Sequence, residues 1–587
     1  MKNFMKIGLL MLVVLAIWLY KNRASTPQNQ QEKVLVTVSE AKIPGLDPAL
    51  TTSVYSTQET TKIYEGLFEY AYLKRPCELV PNLAAALPTV SADGRVYTLK
   101  LRPGVKFHDS PCFEGGKGRE LVAEDFVYSI KRVADPQVQS TWFSLLADKI
   151  QGLDAWRNKY TDGVQADYTE AIAGLKALDK YTLQFTLNKP WPQLPYILAM
   201  NFCYAVPREA VEHYGKEFLN HPVGTGPFTL KEFNPQLNKL VYHKNPTFRD
   251  KRFPSEASEA YQYMLADAGK KLPLIDKIIT HILPEEQPRW LKFQKGQVDI
   301  IDISRADIAL EVVQSDSLSP QWQQKGMQLF QAPEQATSFF VINNANRFLK
   351  NNKLRQALSL AYDRQRANEL FSKGSALSAQ SIVPPGLAGY QKDYSGPYTT
   401  YNLVRAKQLL AEAGYPAGKG LPVIVLDTGA STRRRNQAEF FKKCMEKLGV
   451  KIKVVSNTFP ELIRKMHQKQ TMIHTLAWSA DYPDAENFLH LLYKSDSGLG
   501  AYFDDPTYNA LYEQAVVMQP SPARTTLYEQ LNRIVAEKVP VICTTHAKHP
   551  ILYQGWVKNY LWSDCHYGTE QYINIDLAEK QALQDKL

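Results

Sequence analysis

Residues 478–482 read Trp-Ser-Ala-Asp-Tyr and close an apolar run, 473–478, that reads as a strand. Asp481 therefore stands at a strand end, where a partly buried carboxylate is costly unless a cation meets it. No His or Cys cluster surrounds it, so no metal site is expected there. Two readings stay open. Asp481 caps the turn before Pro483, or it awaits a cation that arrives with a ligand, such as the free α-ammonium of a peptide.

The other chemistry-bearing patterns lead away from catalysis. Gly115-Gly116-Lys117-Gly118 lacks the Walker spacing and the following Ser/Thr. Gly224-Thr225-Gly226-Pro227-Phe228 is no dinucleotide fingerprint and reads as a tight turn feeding a strand. GxSxG and HExxH are both absent. His546 and His549 could share a helix face, but two histidines without a third ligand make a weak metal site. His108-Asp109 is an acid–base pair or, more simply, part of a turn. We therefore expect no enzyme, no metal and no cofactor.

Elements of both kinds must position these residues. Strands are expected at 34–38, 96–101, 182–187, 240–243, 277–282, 298–303, 338–343, 423–427, 451–455 and 473–478, where β-branched and aromatic residues alternate between turn signals. One helical stripe runs through Leu354, Ala357, Leu358, Ala361 and Leu370. A second joins Leu403, Ala406, Leu409, Leu410 and Ala413, with Asn402 as N-cap and Gly414 past its end. A third joins Phe440, Phe441, Cys444, Met445 and Leu448 before Gly449. Alternation of the two types argues α/β. Segments 110–120 and 249–272 read as surface insertions.

The 587 residues, 44% hydrophobic and 22% charged, suit a folded protein of roughly three domain-sized units. The net charge of +10 admits nucleic acid, anionic membranes or acidic ligands. Nucleic acid is set aside because the cations are spread along the chain, with one tight cluster at Arg433–Arg435. Lys2 and Lys6 precede an apolar run at 7–20, the pattern of an export signal. It is either cleaved near Ala24 or kept as an anchor with Trp18 and Tyr20 at the interface, followed by a polar tether at 21–32. Six cysteines form no CxxC pair; Cys77 with Cys112 and Cys543 with Cys565 are the pairings considered.

From about Val34 onward the chain resembles the peptide- and nickel-type solute-binding proteins of bacterial ABC importers, the extracellular family 5. The resemblance rests on a collinear series of motifs. It opens with Leu46-Asp47-Pro48, Glu65-Gly66-Leu67-Phe68 on an expected helix, Leu79-Val80-Pro81-Asn82-Leu83-Ala84 and Asp93-Gly94. It continues with 101–109 and 123–132, then 223–228, Gly296-Gln297-Val298-Asp299 and Arg355-Gln356-Ala357-Leu358, and closes with Ala411-Glu412-Ala413-Gly414-Tyr415 and 478–482.

This resemblance implies a two-lobed periplasmic-binding-protein-like α/β fold with hinged lobes and an extra inserted domain. Lobe I would comprise 33–75, 205–336 and 545–587; the inserted domain 76–204; lobe II 337–544. It implies an exported, periplasmic receptor that acts as a monomer; the N-terminal run, where it stays uncleaved, would tether it to the inner membrane. The receptor would capture a peptide or similar amine-bearing solute and pass it to a membrane permease. Alternatives on the same scaffold are a metal chelate, a sugar or an opine-like solute; a periplasmic peptide chaperone and a hydrolase are alternatives of another class.

Asp481 would hold the ligand's ammonium. Ala477, Trp478, Ser479 and Ala480 would pair with its backbone, as would Thr52, Ser53 and Val54 from the other side. Trp142 falls near a ligand-contacting aromatic region, with domain packing as the equal alternative. Relatives join positions 336 and 479 by a disulfide and place arginines for the ligand carboxylate at 466 and 475. Here those positions are Ala336, Ser479, Met466 and Thr475. His474 and the Arg433–Arg435 cluster are the remaining cations for that role, set against a solvated basic face.

Overall fold

The computed structural model describes residues 31–584 except 162, 235–237, 305–307, 315, 496–497 and 564–566. The N-terminal apolar run and Cys565 lie outside the described residues. Among those described, no helix is long and apolar enough to cross a membrane.

The Ala336–Ile342 strand shows how the larger sheet is built. Alternate residues of a strand point to opposite faces, and this strand is apolar on both. Phe340 and Ile342 enter one buried cluster, with Leu358, Leu410 and Phe441; Phe339 and Val341 enter another, with Phe488, Tyr508 and Leu531. A strand buried on both faces needs helices on both sides. Helices Asn352–Ala361, Leu403–Glu412 and Thr432–Glu446 supply one layer, and Pro506–Val516 with Pro522–Lys538 the other. Six strands make the sheet, in the order Leu377–Ser378, Val541–His546, Ala336–Ile342, Ile473–Ser479, Ile424–Gly429, Ile452–Asn457.

The other lobe holds a four-stranded sheet, Val34–Ser39, Lys277–Ile282, Lys239–Lys244 and Phe228–Asn234. It also holds a three-stranded one, Ile300–Asp302, Lys548–Gln554 and Met327–Pro333. The chain crosses to the six-stranded sheet between Pro333 and Ala336, and returns between His546 and Lys548. A further four-stranded sheet (Thr89–Val90, Val96–Lys100, Thr182–Thr186, Leu175–Asp179) packs under the helix Ala123–Ala134.

The motif residues turn out to hold distant stretches of the chain together. Arg132 grips Asp47 with two nitrogens at 2.8 and 3.0 Å, both side chains almost wholly buried. Arg249 holds Glu65 at 2.5 Å, and Glu65 also accepts from Thr225 Oγ1. A Cβ on Gly224 or Gly226 would collide with the Ile63 carbonyl at 2.2 or 2.5 Å, so this turn needs glycine for close approach.

Several expectations need correction. Glu65-Gly66-Leu67-Phe68 is not helical: the helix Val54–Thr60 has ended, and Phe68–Tyr70 is a strand. The first expected stripe splits into Asn352–Ala361 and Arg364–Ser372, leaving Leu370 half exposed. The N-cap Asp363, which accepts from Arg366 N–H, restarts the second helix. His546 and His549 lie on the strands Val541–His546 and Lys548–Gln554, so they share no helix face. Cys112 and Cys543 are free thiols, so the Cys77–Cys112 pairing is not formed. Segment 249–272 is more than a surface insertion, because Phe253, Met264 and Leu272 are buried with Tyr72 and Tyr572.

Candidate ligand-binding site

The strand Ile473–Ser479 is central to the six-stranded sheet but incompletely paired. On one side it meets Ala336–Ile342 along its whole length, from Ile342↔Ile473 to Ala336↔Ser479. On the other side the parallel strand Ile424–Gly429 pairs only with Ile473 and His474. Beyond His474 no further ladder pairing forms on that side among the described residues, although the neighbouring strand continues through Thr428, beside Thr475, to Gly429. Ala480 donates its N–H to the Gln335 carbonyl, so by the two-residue alternation of an antiparallel ladder Ala477 and Ser479 aim their backbone groups away from that partner, at the open edge. Both residues are exposed.

Asp481 follows directly. It is open to solvent, and enough protein surrounds it for burial to push its carboxyl above the usual range, partly offset by Asn487. Asn487 Nδ2 donates to Asp481 Oδ2 at 3.0 Å, while Asn487 Oδ1 accepts from the Asp481 N–H and from Trp478 Nε1, both at 3.0 Å. Among the described residues no Lys or Arg pairs with Asp481. The next residue, Tyr482, is buried and stacks on Tyr196, ring centroids 6.2 Å apart and nearly parallel. Gln519 Nε2 reaches Tyr97 Oη at 3.2 Å in the same interface. Asp481 thus sits beside the line along which the two halves of the molecule touch.

Across that line, Ser53 caps the helix Val54–Thr60 by accepting from Ser56 N–H at 3.1 Å. Thr52 and Val54 are exposed. Trp142 is half buried; its Nε1 donates to the Thr51 carbonyl at 2.8 Å and its ring stacks on Phe202 at 5.1 Å, a packing role that shapes the same segment.

The positions where cations were sought resolve differently. Met466 and Thr475 are buried, and Thr475 Oγ1 lies 3.0 Å from Thr428 Oγ1. His474 is buried against the Leu499 carbonyl, and burial lowers its pKa to about 4, so it is neutral and carries no charge for a ligand. Arg434 extends from the first turn of its helix across Gly429, where an added Cβ would meet its Cδ at 2.9 Å. Its guanidinium has no acceptor among the described residues, and it sits where the open edge begins. Ala336 and Ser479, where the resemblance implied a disulfide in relatives, are direct cross-strand neighbours, and neither is a cysteine.

Sequence reasoning missed Asn487 and Tyr196, which lack a charge or a motif to mark them, and gave Tyr482, inside the 478–482 motif, no role of its own. His108 and Asp109 part company: His108 Nε2 lies 2.9 Å from the buried Gly226 carbonyl, and Asp109 pairs with Lys117. Among the described residues no group of three or more His, Cys, Asp or Glu is placed to hold a metal. A cavity of about 730 Å³ elsewhere is lined by Glu69, Tyr72, Arg102, Lys251 and Glu256, and the Lys251–Glu69 ion pair at 2.5 Å occupies its wall.

Two α/β lobes joined by a double crossing, with a partly open strand between them, define a clamshell binding protein. Residues 78–499 match the family of bacterial extracellular solute-binding proteins, family 5, and the chain belongs to it. It is 27% identical to the dipeptide-binding protein of Escherichia coli K12, over 88% of this chain and 90% of that protein. It is also 27% identical to heme-binding protein A of Haemophilus influenzae, over 95% of each. Among solved structures, HbpA2 from Haemophilus parasuis has a TM-score of 0.75 at 23% identity, covering 93% of this chain and 100% of that one. The periplasmic binding protein DppA of Helicobacter pylori, bound to the peptide STSA, has a TM-score of 0.68 at 23% identity, covering 93% and 99%. These structures share the two-lobed α/β fold.

Proposed function

We propose that this protein is the exported receptor of an ABC importer and captures a short peptide with a free amino end between its lobes. The observation that carries this reading is the Asp481 carboxylate, oriented by Asn487, without a Lys or Arg partner among the described residues, and at the head of a strand edge left partly unpaired among them. A ligand ammonium supplies the missing charge, and a charge-assisted pair gains strength once lobe closure removes water. The ligand backbone adds to the open edge at Ala477 and Ser479, which gives affinity without reading side chains. Arg434 is the cation within reach of the other end, and we assign the ligand carboxylate to it. Thr52, Ser53 and Val54 face the ligand from lobe I, and the two chain crossings act as the hinge.

Titration calorimetry with tri- to pentapeptides tests this. Asp481→Ala weakens binding of a free-amine peptide by roughly 2–5 kcal/mol, and N-acetylation of the peptide weakens binding to the wild type by a similar amount. Equal affinity for both proteins refutes the assignment.

The likeness to heme-binding protein A favours one second reading, a macrocyclic dicarboxylate ligand. Such a ligand has no ammonium. It would depend on Arg434 and be indifferent to Asp481→Ala.

A further inference from the structure

We propose that one edge of the six-stranded sheet is a docking surface for an anionic phospholipid bilayer. Although cations occur along the whole chain, their excess over acids is concentrated in one segment. Between Lys419 and Lys469 there are twelve Lys/Arg and four Asp/Glu, an excess of eight, against ten for the whole chain. The first 30 residues hold four more cations and no acid, so the remainder of the chain is slightly negative.

The fold gathers this segment at one place. It forms the edge strand Ile452–Asn457, its neighbour Ile424–Gly429, and the helices Thr432–Glu446 and Phe459–His467 packed beside them. Lys443, Lys447, Lys451, Lys453, Arg464 and Lys469 are all exposed. Of the twelve cations, Lys442 and Lys465 alone pair with a carboxylate among the described residues, and they use up Glu439, Asp427 and Glu461. Lysine on an edge strand also prevents edge-to-edge aggregation. Lys451 and Lys453 suffice for that, whereas the charge extends over both flanking helices.

Two features favour a bilayer over a soluble polyanion. Phe459 is 66% exposed where the edge strand gives way to the next helix, an aromatic ring beside a cationic field, as interfacial segments present. The same chain carries the apolar run at 7–20 that reads as an export signal, and such a signal would bring it to a membrane. Clustered cations near an anionic leaflet contribute additively and are screened by salt. The surface is separate from Asp481 and does not depend on the ligand assignment.

The test is co-sedimentation of the full chain with vesicles of phosphatidylcholine alone or with about one third phosphatidylglycerol, at about 0.05 M and about 0.5 M salt. The wild type binds the phosphatidylglycerol vesicles preferentially at low salt and loses that preference at high salt. The variant Lys443→Glu/Lys447→Glu/Lys451→Glu/Lys453→Glu loses at least about tenfold in partitioning at low salt, with unchanged circular dichroism and peptide affinity. If it misfolds, the Lys443→Glu/Lys447→Glu and Lys451→Glu/Lys453→Glu pairs each show a smaller loss. Equal binding by wild type and variant overturns the proposal. So does wild-type indifference to phosphatidylglycerol, or release from vesicles by soluble polyglutamate at matched charge, which would assign the edge to an acidic protein.

Discussion

Asn487 touches Asp481 at two atoms, accepting from its N–H and donating to its carboxylate, so the acid is aimed without being neutralised. Burial raises the carboxyl, the Asn487 bond lowers it, and the net shift is upward. An ammonium binds the ionised form. Affinity for a free-amine peptide is therefore level near neutral pH and falls on acidification through a pKa above the ordinary carboxylate value of about 3.9. Calorimetry across pH 4–7 checks this against the N-acetylated peptide, whose affinity stays flat. Parallel loss for both peptides would remove Asp481 from the site.

The open edge sets a length. From Leu476 to Ser479 it covers four residues, roughly 10 Å at strand spacing, with Asp481 past one end and Arg434 at the other. Affinity should peak for peptides of about three to five residues, and N-methylation of one ligand amide facing Ala477 or Ser479 should remove about 1 kcal/mol. A calorimetric series flat from dipeptide to octapeptide would contradict edge pairing. A second element-scale prediction concerns the Arg132–Asp47 clamp between the helix Ala123–Ala134 and the loop after the first strand. Arg132→Ala strands Asp47 in a buried site and should cost roughly 3–5 kcal/mol in denaturant unfolding. Asp47→Asn/Arg132→Met should cost less than Arg132→Ala.

Across the whole molecule, the two crossings carry a charge of their own. His549, just past the return crossing, lies 2.9 Å from Asp302 and 3.1 Å from Glu334, which stands in the outward crossing, and stacks on Trp562 at 3.9 Å. Burial opposes its protonation, but the two carboxylates outweigh it and raise the pKa to about 9. Because the folded value lies above the unfolded one of about 6.5, the stabilisation is complete below pH 6.5 and is lost as pH rises through 9. We expect the unfolding midpoint to drop between pH 7 and 9.5, by on the order of 3 kcal/mol in stability, and His549→Gln to flatten that dependence. A variant that keeps the wild-type slope would show that another group titrates there.

Much was legible from local signals. The caps Asn402 and Gly414, the alternating strands, the strand-end Asp481 and the collinear motifs follow from periodicity and turn chemistry, which act over a few residues. The roles of those motifs were not legible. Asp47 with Arg132 and Glu65 with Arg249 are partners 85 and 184 residues apart, and only folding brings such charges into contact. The same holds for the unpaired half of Ile473–Ser479, which exists because its ladder with the parallel neighbour ends at His474 although that neighbour runs on to Gly429. It holds too for Arg434, whose reach depends on a helix start lying over Gly429. Local sequence determined which residues carry charge and which segments form strands; long-range packing decided which charges were left without partners, and those are the ones a ligand or a surface can use.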